Sequence, residues 1–142
     1  MMRKQKSRNQ YGALPVSMRD GNLYVMLVTS RETRRWIIPK GWPEKRLAPH
    51  ALAAREAYEE AGLVGRIDKR PIGRYRYDKR LKSDKMVPCV VDVYLLNVEN
   101  ELDDWPEKAE RERRWMLPTQ AAELVSEDDL ANLLLTLSAT DH

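Results

Sequence analysis

The sequence predicts an α/β domain, a mixed sheet covered by helices on its faces. Three observations carry this. β-like runs arrive in hairpin-like groups, a helix with both ends marked stands between two such groups, and an amphipathic helix closes the chain. That order favours long hairpins interleaved with helices over a doubly wound parallel sheet. The 142 residues make one domain, a size at which roughly two-thirds of the unfolded surface is buried.

The elements follow in order. Residues 1–9 read as a mobile basic tail and residues 10–142 as a single domain. Ala13 to Met18 is extended, Arg19-Asp20-Gly21-Asn22 is a tight turn, and Leu23 to Thr29 is a buried strand, together a hairpin. Trp36-Ile37-Ile38 is a short strand closed by Pro39. Residues 49–61 form the clearest helix, with Pro49 in its first turn and Gly62 at its cap. Strands at about 70–77 and 87–98 flank a basic segment, residues 99–112 read as a polar loop, and Arg114-Trp115-Met116 is extended. Ser126 caps a last helix with Asp129 three residues on, and Leu130, Leu133, Leu134 and Leu137 form its apolar stripe.

Composition excludes several classes. With 42% hydrophobic and 33% charged residues the chain is globular rather than disordered. There is no Phe, so Trp, Tyr, Leu and Val build the core. No apolar run approaches the roughly 20 residues that span a bilayer. The basic start lacks the apolar stretch of a secretory signal. Cys89 is the single cysteine, which excludes an intrachain disulfide and leads us to expect a reducing cytoplasm. It reads as a buried strand residue rather than a nucleophile. Zinc-finger spacing is excluded, because the other soft ligands are only His50 and His142.

A net charge of +3 is too mild to announce nucleic acid, and no membrane partner is expected. The distribution says more. Arg31, Arg34, Arg35 and Lys40 precede Gly41, Lys79, Arg80, Lys82 and Lys85 share one stretch, and acidic residues gather at 56–60, 99–112 and 123–129. Local positive fields beside carboxylates suit a phosphorylated small molecule with a divalent cation.

The helix at 49–61 is built against its own stability. Helical projection puts Arg55, Glu59, Leu52, Glu56 and Glu60 on one arc and the alanines with Tyr58 on the rest, so the glutamates are expected to project away from the sheet. Glu56 and Glu60 are a like-charge i,i+4 pair, unfavourable by a few tenths of a kcal/mol. Glu59 and Glu60 sit in the last turn, where the dipole disfavours negative charge by ~0.3–1 kcal/mol. A divalent cation reverses each effect, and hard oxygen ligands select Mg²⁺ or Mn²⁺. The glutamates alone would equally suit a solvated acidic face; Pro39-Lys40-Gly41 upstream and Gly62 downstream weigh against that.

Gly41 to Leu63, GWPEKRLAPHALAAREAYEEAGL, resembles the signature of the Nudix hydrolases. That signature is Gly, five residues, Glu, seven residues, then Arg-Glu-apolar-any-Glu-Glu-any-Gly-apolar. Gly41, Arg55, Glu56, Ala57, Glu59, Glu60, Gly62 and Leu63 fall at its spacing; Leu47 stands where it has its first glutamate, and Glu44 lies three positions early. Segments 30–43 and 103–125 extend the resemblance to the diphosphoinositol-polyphosphate and diadenosine-polyphosphate hydrolase branch, with Pro39-Lys40-Gly41 nearer the dinucleoside form. The resemblance implies an α/β/α sandwich around a mixed sheet and Mg²⁺-dependent hydrolysis of a phosphoanhydride. It makes Glu56, Glu59 and Glu60 metal ligands, leaves open whether Glu56 or Glu60 is the base on water, and has Arg55 hold Glu56 or Glu59. Arg31, Arg35 and Lys40 are its phosphate clamps, and Gly41 brings backbone close to phosphate or metal. Two further readings stand beside it: a non-catalytic ligand sensor, which Leu47 would suit, and RNA 5′-end processing, which the basic start would suit. The sequence sets no oligomeric state.

Overall fold

The computed structural model describes residues 6–140. An eight-stranded mixed sheet runs through them. Its long strands, β1 (Arg8–Arg19) and β7 (Met86–Glu101), pair in parallel from Arg8↔Cys89 to Val16↔Asn97. Each divides its other edge between two antiparallel partners. β1 takes β2 (Asn22–Thr29) at its C-terminal end and β4 (Lys40–Gly41) at Tyr11 and Gly12. β7 takes β6 (Gly73–Arg80) along its first half and β5 (Leu63–Ile67) along its second. β3 (Trp36–Ile37) and β8 (Arg113–Met116) pair with β2.

Successive strand residues part to opposite faces. On one face Ala13, Met26, Val28, Tyr94 and Leu96 pack with Ala53, Ala57 and Ala61 of α1 (Pro49–Ala61). On the other, Leu14, Leu27, Val91 and Val93 pack with Ala121 of α2 (Pro118–Leu124) and with Leu130 and Leu134 of α3 (Asp128–Thr140). The three layers are the α/β/α sandwich. Cys89 is a free, buried residue of β7.

Ala53, Ala57 and Ala61 are fully buried at i,i+4 spacing, which lets α1 lie close on the sheet. Ala57→Leu is expected to cost about 1–3 kcal/mol by overpacking. A lower midpoint in denaturant melts reads this out; an unchanged midpoint would mean the helix rides outward without loss.

The structure adds elements the sequence reading lacked. β1 begins at Arg8, inside the segment read as a tail, while Arg3 and Lys4 lie outside the described residues. β5 is short and bulged between Val64 and Gly65, which breaks the alternation that marks a strand. A side chain on Gly65 would run into the Asn97 carbonyl, so the glycine that looks like a break is what lets β5 pair. α2 has seven residues, too few for a periodic stripe. Its signals are Pro118 in the first turn and Gln120, whose Oε1 accepts from the Leu117 N–H at 3.0 Å. The stretch 99–112 begins as the end of β7 and contains a 3₁₀ turn at Lys108–Glu110.

Candidate active site

The C-terminus of α1 is held by the segment that follows β7. Gly62 caps the helix in the left-handed region at φ 66°. The Glu59 carbonyl accepts from Glu107 N (3.0 Å), Glu60 from Trp105 Nε1 (3.1 Å), Ala61 from Arg113 Nη1 (2.8 Å) and Gly62 from Leu102 N (2.8 Å). Carbonyls orphaned at a helix end are thus satisfied. The Arg113 guanidinium also stacks on the Trp105 ring, 3.8 Å from its centroid. This end of the helix carries negative side chains against its dipole, and the loop supplies the cations and donors that offset them.

Glu60 is buried, 3% exposed. Its Oε2 accepts from the Lys40 backbone N–H at 3.2 Å, and its Oε1 lies 3.6 Å from Arg111 Nη1. Burial pushes the Glu60 carboxyl up to about 8, with Arg111 and Lys40 pulling the other way. Glu56 is raised by burial and by the neighbouring Glu59 charge, while a hydrogen bond with Glu60 lowers it. The two carboxyl groups lie under adjacent residues of one strand, Glu60 at the Lys40 N–H and Glu56 beneath Gly41. The strand β4 passes directly over them: a Cβ on Gly41 would stand 2.6 Å from the Glu56 carboxyl. A glycine here allows the close approach.

Lys40 points to the opposite side of β4. Its Nζ lies 4.9 Å from the centre of the Tyr77 ring, and burial lowers it to about 8 against the attraction of Glu60. The Tyr77 hydroxyl donates to Gln10 Oε1. Beside Tyr77 opens a cleft of about 450 Å³, lined by Arg35, Arg76, Glu127 and Asp128 among others.

The sheet and α1 thus bring Lys40, Gly41, Glu56 and Glu60 together. Glu59 is not part of this inner group: it is about a third exposed, with its Oε1 3.6 Å from Arg55 Nε. The expected projection of three glutamates away from the sheet is corrected. Leu52, on the same arc, is fully buried, while Tyr58, grouped with the alanines, is 41% exposed. The helix is turned so that Glu56 and Glu60 face inward at the end of the sheet. Arg55 also differs from expectation. Its hydrogen-bonding partner is Glu44, while Glu56 Oε2 stands at 3.6 Å.

Arg31, Arg35 and Lys40 do not form the single cluster that their sequence proximity implied. The Ser30–Arg35 turn, closed by Ser30 N to Arg35 O at 2.8 Å with Arg34 at φ 56°, separates the arginines. Arg31 pairs with Glu110 at 3.4 Å, whereas Arg35 lines the Tyr77 cleft. Sequence reasoning missed Arg111, Glu107 and Tyr77. Glu107 and Arg111 were legible in principle as an i,i+4 pair, which the structure closes at 2.7 Å.

Among the described residues no group of three or more His, Cys, Asp or Glu side chains is arranged to hold a metal ion. The Glu56–Glu60 pair is nevertheless a fit for a divalent cation. It offers hard oxygen donors, Glu60 buried and Glu56 half-buried, and their raised protonation is what a bound cation would reverse. No helix among the described residues is long and apolar enough to cross a membrane.

A mixed sheet between helical layers, with a glycine-led loop feeding a carboxylate-bearing helix, is the arrangement that the Nudix resemblance implied. The family model for the NUDIX domain matches residues 6–136, and the chain belongs to that family. It is 35% identical over 106 residues to Nudix hydrolase 12, mitochondrial, of Arabidopsis thaliana, covering 72% of this chain and 52% of that protein. It is 36% identical over 94 residues to human diphosphoinositol polyphosphate phosphohydrolase 3-beta, covering 64% and 53%. The chain thus spans about half the length of these relatives. The crystal structure of a C. elegans Ap4A hydrolase shares the fold, with a TM-score of 0.65, 19% identity and coverage of 94% of this chain and 98% of that one. The family acts on phosphorylated small molecules and uses divalent metals.

Proposed function

We propose that this chain is a Mg²⁺-dependent pyrophosphohydrolase, with Mn²⁺ able to replace Mg²⁺, that cleaves a phosphoanhydride bond in a highly phosphorylated small molecule. A dinucleoside polyphosphate is the first choice and a diphosphoinositol polyphosphate the second. The observation that carries this is the buried Glu60 with the half-buried Glu56 beside it, beneath Gly41 and next to the Lys40 N–H. Glu56 and Glu60, with the outer Glu59 as the third carboxylate that the resemblance implies, would hold the cation. When bound, it neutralises charge on the phosphate oxygens and lowers the pKa of water. Water attacks phosphorus, Glu56 or Glu60 takes its proton, and the bridging oxygen leaves on the departing phosphate. Arg55 orients the carboxylates. Lys40 and Arg35 bind phosphates on the Tyr77 side, where the cleft has room for the rest of the ligand. A relative named for diphosphoinositol polyphosphates supports the polyphosphate class, and nothing in the comparisons ranks the two substrates. Leu47 would suit a ligand sensor without turnover, but Arg55, Glu56, Glu59 and Glu60 are all present, which favours turnover.

The test is phosphate release with Mg²⁺ from nucleoside di- and triphosphates, dinucleoside polyphosphates, diphosphoinositol polyphosphates and 5′-triphosphate RNA. Release from a polyphosphate class, abolished by chelator, supports the reading. Binding of every class without turnover returns the sensor, and selective release from RNA overturns the substrate class.

The separation of the arginines gives a sharper expectation. Arg35→Ala should raise the Michaelis constant for a long-phosphate substrate by about tenfold, or ~1.4 kcal/mol. Arg31→Ala, already paired with Glu110, should do less. The Arg35 effect should shrink with salt. Equal effects of the two variants at all salt concentrations would remove Arg35 from the phosphate site.

A further inference from the structure

We propose that Glu44 is the positioning residue that holds Arg55 at ion-pair distance from the site carboxylates, short of hydrogen bonding to them, taking the place of the glutamate that the signature has at position 47. This rests on the reading of Glu56, Glu59 and Glu60 as the working carboxylates. Leu47 is half-buried, and its N–H donates to the Glu44 carbonyl at 3.2 Å. Residues 44 and 47 are thus the two ends of one turn, and the carboxylate comes from the opposite end to the one the signature uses. The Glu44 side chain reaches α1 and meets Arg55 Nη2.

Three carboxylates surround this guanidinium, but it hydrogen-bonds only Glu44. Nη2 stands 3.6 Å from Glu56 Oε2 and Nε stands 3.6 Å from Glu59 Oε1, both beyond the 2.7–3.2 Å typical of such a bond. The Nε–H is buried and makes no hydrogen bond. A guanidinium released from Glu44 would move the remaining few tenths of an ångström onto Glu56 and Glu59 and occupy oxygens that a cation needs. Glu44 therefore acts through Arg55, by fixing it 3.6 Å from Glu56 and Glu59, where it orients the carboxylates without occupying their oxygens. The same contact is the ion pair that, among the described residues, ties the loop of residues 42–48 to α1. That loop begins at Gly41, whose backbone lies over the Glu56 carboxyl. Both partners are substantially exposed, and such pairs add little to stability. A positioning role and a merely structural one are therefore separable.

Two measurements on the full chain decide it. The first is an NMR titration of the Glu44 carboxyl without metal. It should titrate below the ordinary carboxylate range in the wild type and return to that range in Arg55→Ala; identical titration in both overturns the proposal. The second is Mn²⁺ affinity, read by electron paramagnetic resonance. Glu44→Ala should weaken it about tenfold, the low end for losing a residue that orients ligands, with the melting temperature nearly unchanged. Leu47→Glu in that background should restore most of the loss. Wild-type affinity in Glu44→Ala, or a loss that Leu47→Glu does not repair, overturns the proposal. If the wild-type chain binds no Mn²⁺, the proposed function fails instead, and the titration still judges the Glu44–Arg55 contact.

Discussion

Glu60→Gln is expected to lower turnover by at least about 10²-fold, the low end for losing an acid–base or metal-positioning group. The variant should nevertheless fold, because glutamine can still accept from the Lys40 N–H and, like the protonated carboxyl it replaces, carries no charge. The same substitution should flatten the pH dependence of the metal-free protein. Burial holds the Glu60 carboxyl at about 8 in the fold against an ordinary value of 4.5. Between those values the folded chain binds a proton that the unfolded chain has released. Stability from this group is therefore complete below pH 4.5 and is lost as the pH rises to about 8. Lys40, lowered from 10.5 to about 8, acts in the next window with the opposite slope, contributing stability that returns as the pH rises from 8 to 10.5. Melting temperatures in chelator at pH 5 to 8 should fall for the wild type and fall less for Glu60→Gln. Parallel curves for the two proteins would mean that Glu60 is not held protonated in the fold.

Gly41→Ala should produce a second large loss. The added Cβ would lie 2.6 Å from Glu56 Cδ and Oε1 and 3.0 Å from its Cγ. The carboxylate is the flexible partner and swings aside, so the protein should remain folded. The displacement falls on the reacting geometry, where about 1 Å can cost ~10²-fold. The expected result is a fall in kcat with a smaller change in KM, since Lys40 and Arg35 keep their places. A wild-type kcat would show that Glu56 does not need its position under β4.

The helix that carries the site was legible because its ends are chemical signals: Pro49 and Gly62 bound it where the structure does. The carboxylates were legible because they are costly where they stand. Which way they face was not. Helical spacing gives the angle between Leu52 and Glu56 but not the rotation of the helix on the sheet, and the burial of Leu52 decides that. Partners from distant segments were illegible for a similar reason. Arg111 reaches both the Thr29 carbonyl, at 3.0 Å, and Glu60, contacts that exist only once β2, α1 and the loop before β8 are assembled. Arg31 and Arg35 show the reverse error, since proximity in sequence suggested a shared role that one tight turn divides.

The parallel pairing of β1 with β7 has a consequence for how the chain reaches this state. Asn9 Nδ2 donates to Asp92 Oδ2 at 3.2 Å across 83 residues of sequence. During synthesis β1 emerges well before the strand it must lie beside. Until β7 arrives, one long edge of β1 is open to unwanted pairing, and the two central strands of the sheet can join only after a large loop closes. The first hairpin and α1 need only local contacts, so the closing of β1 onto β7 is expected to be the slow step, roughly on the millisecond-to-second scale of sheets built from distant strands. The two sides of the Tyr77 cleft, Lys40 on the β1 side and Tyr77 on the β7 side, are therefore expected to meet last, so that the proposed ligand-binding surface is completed at the final stage of folding.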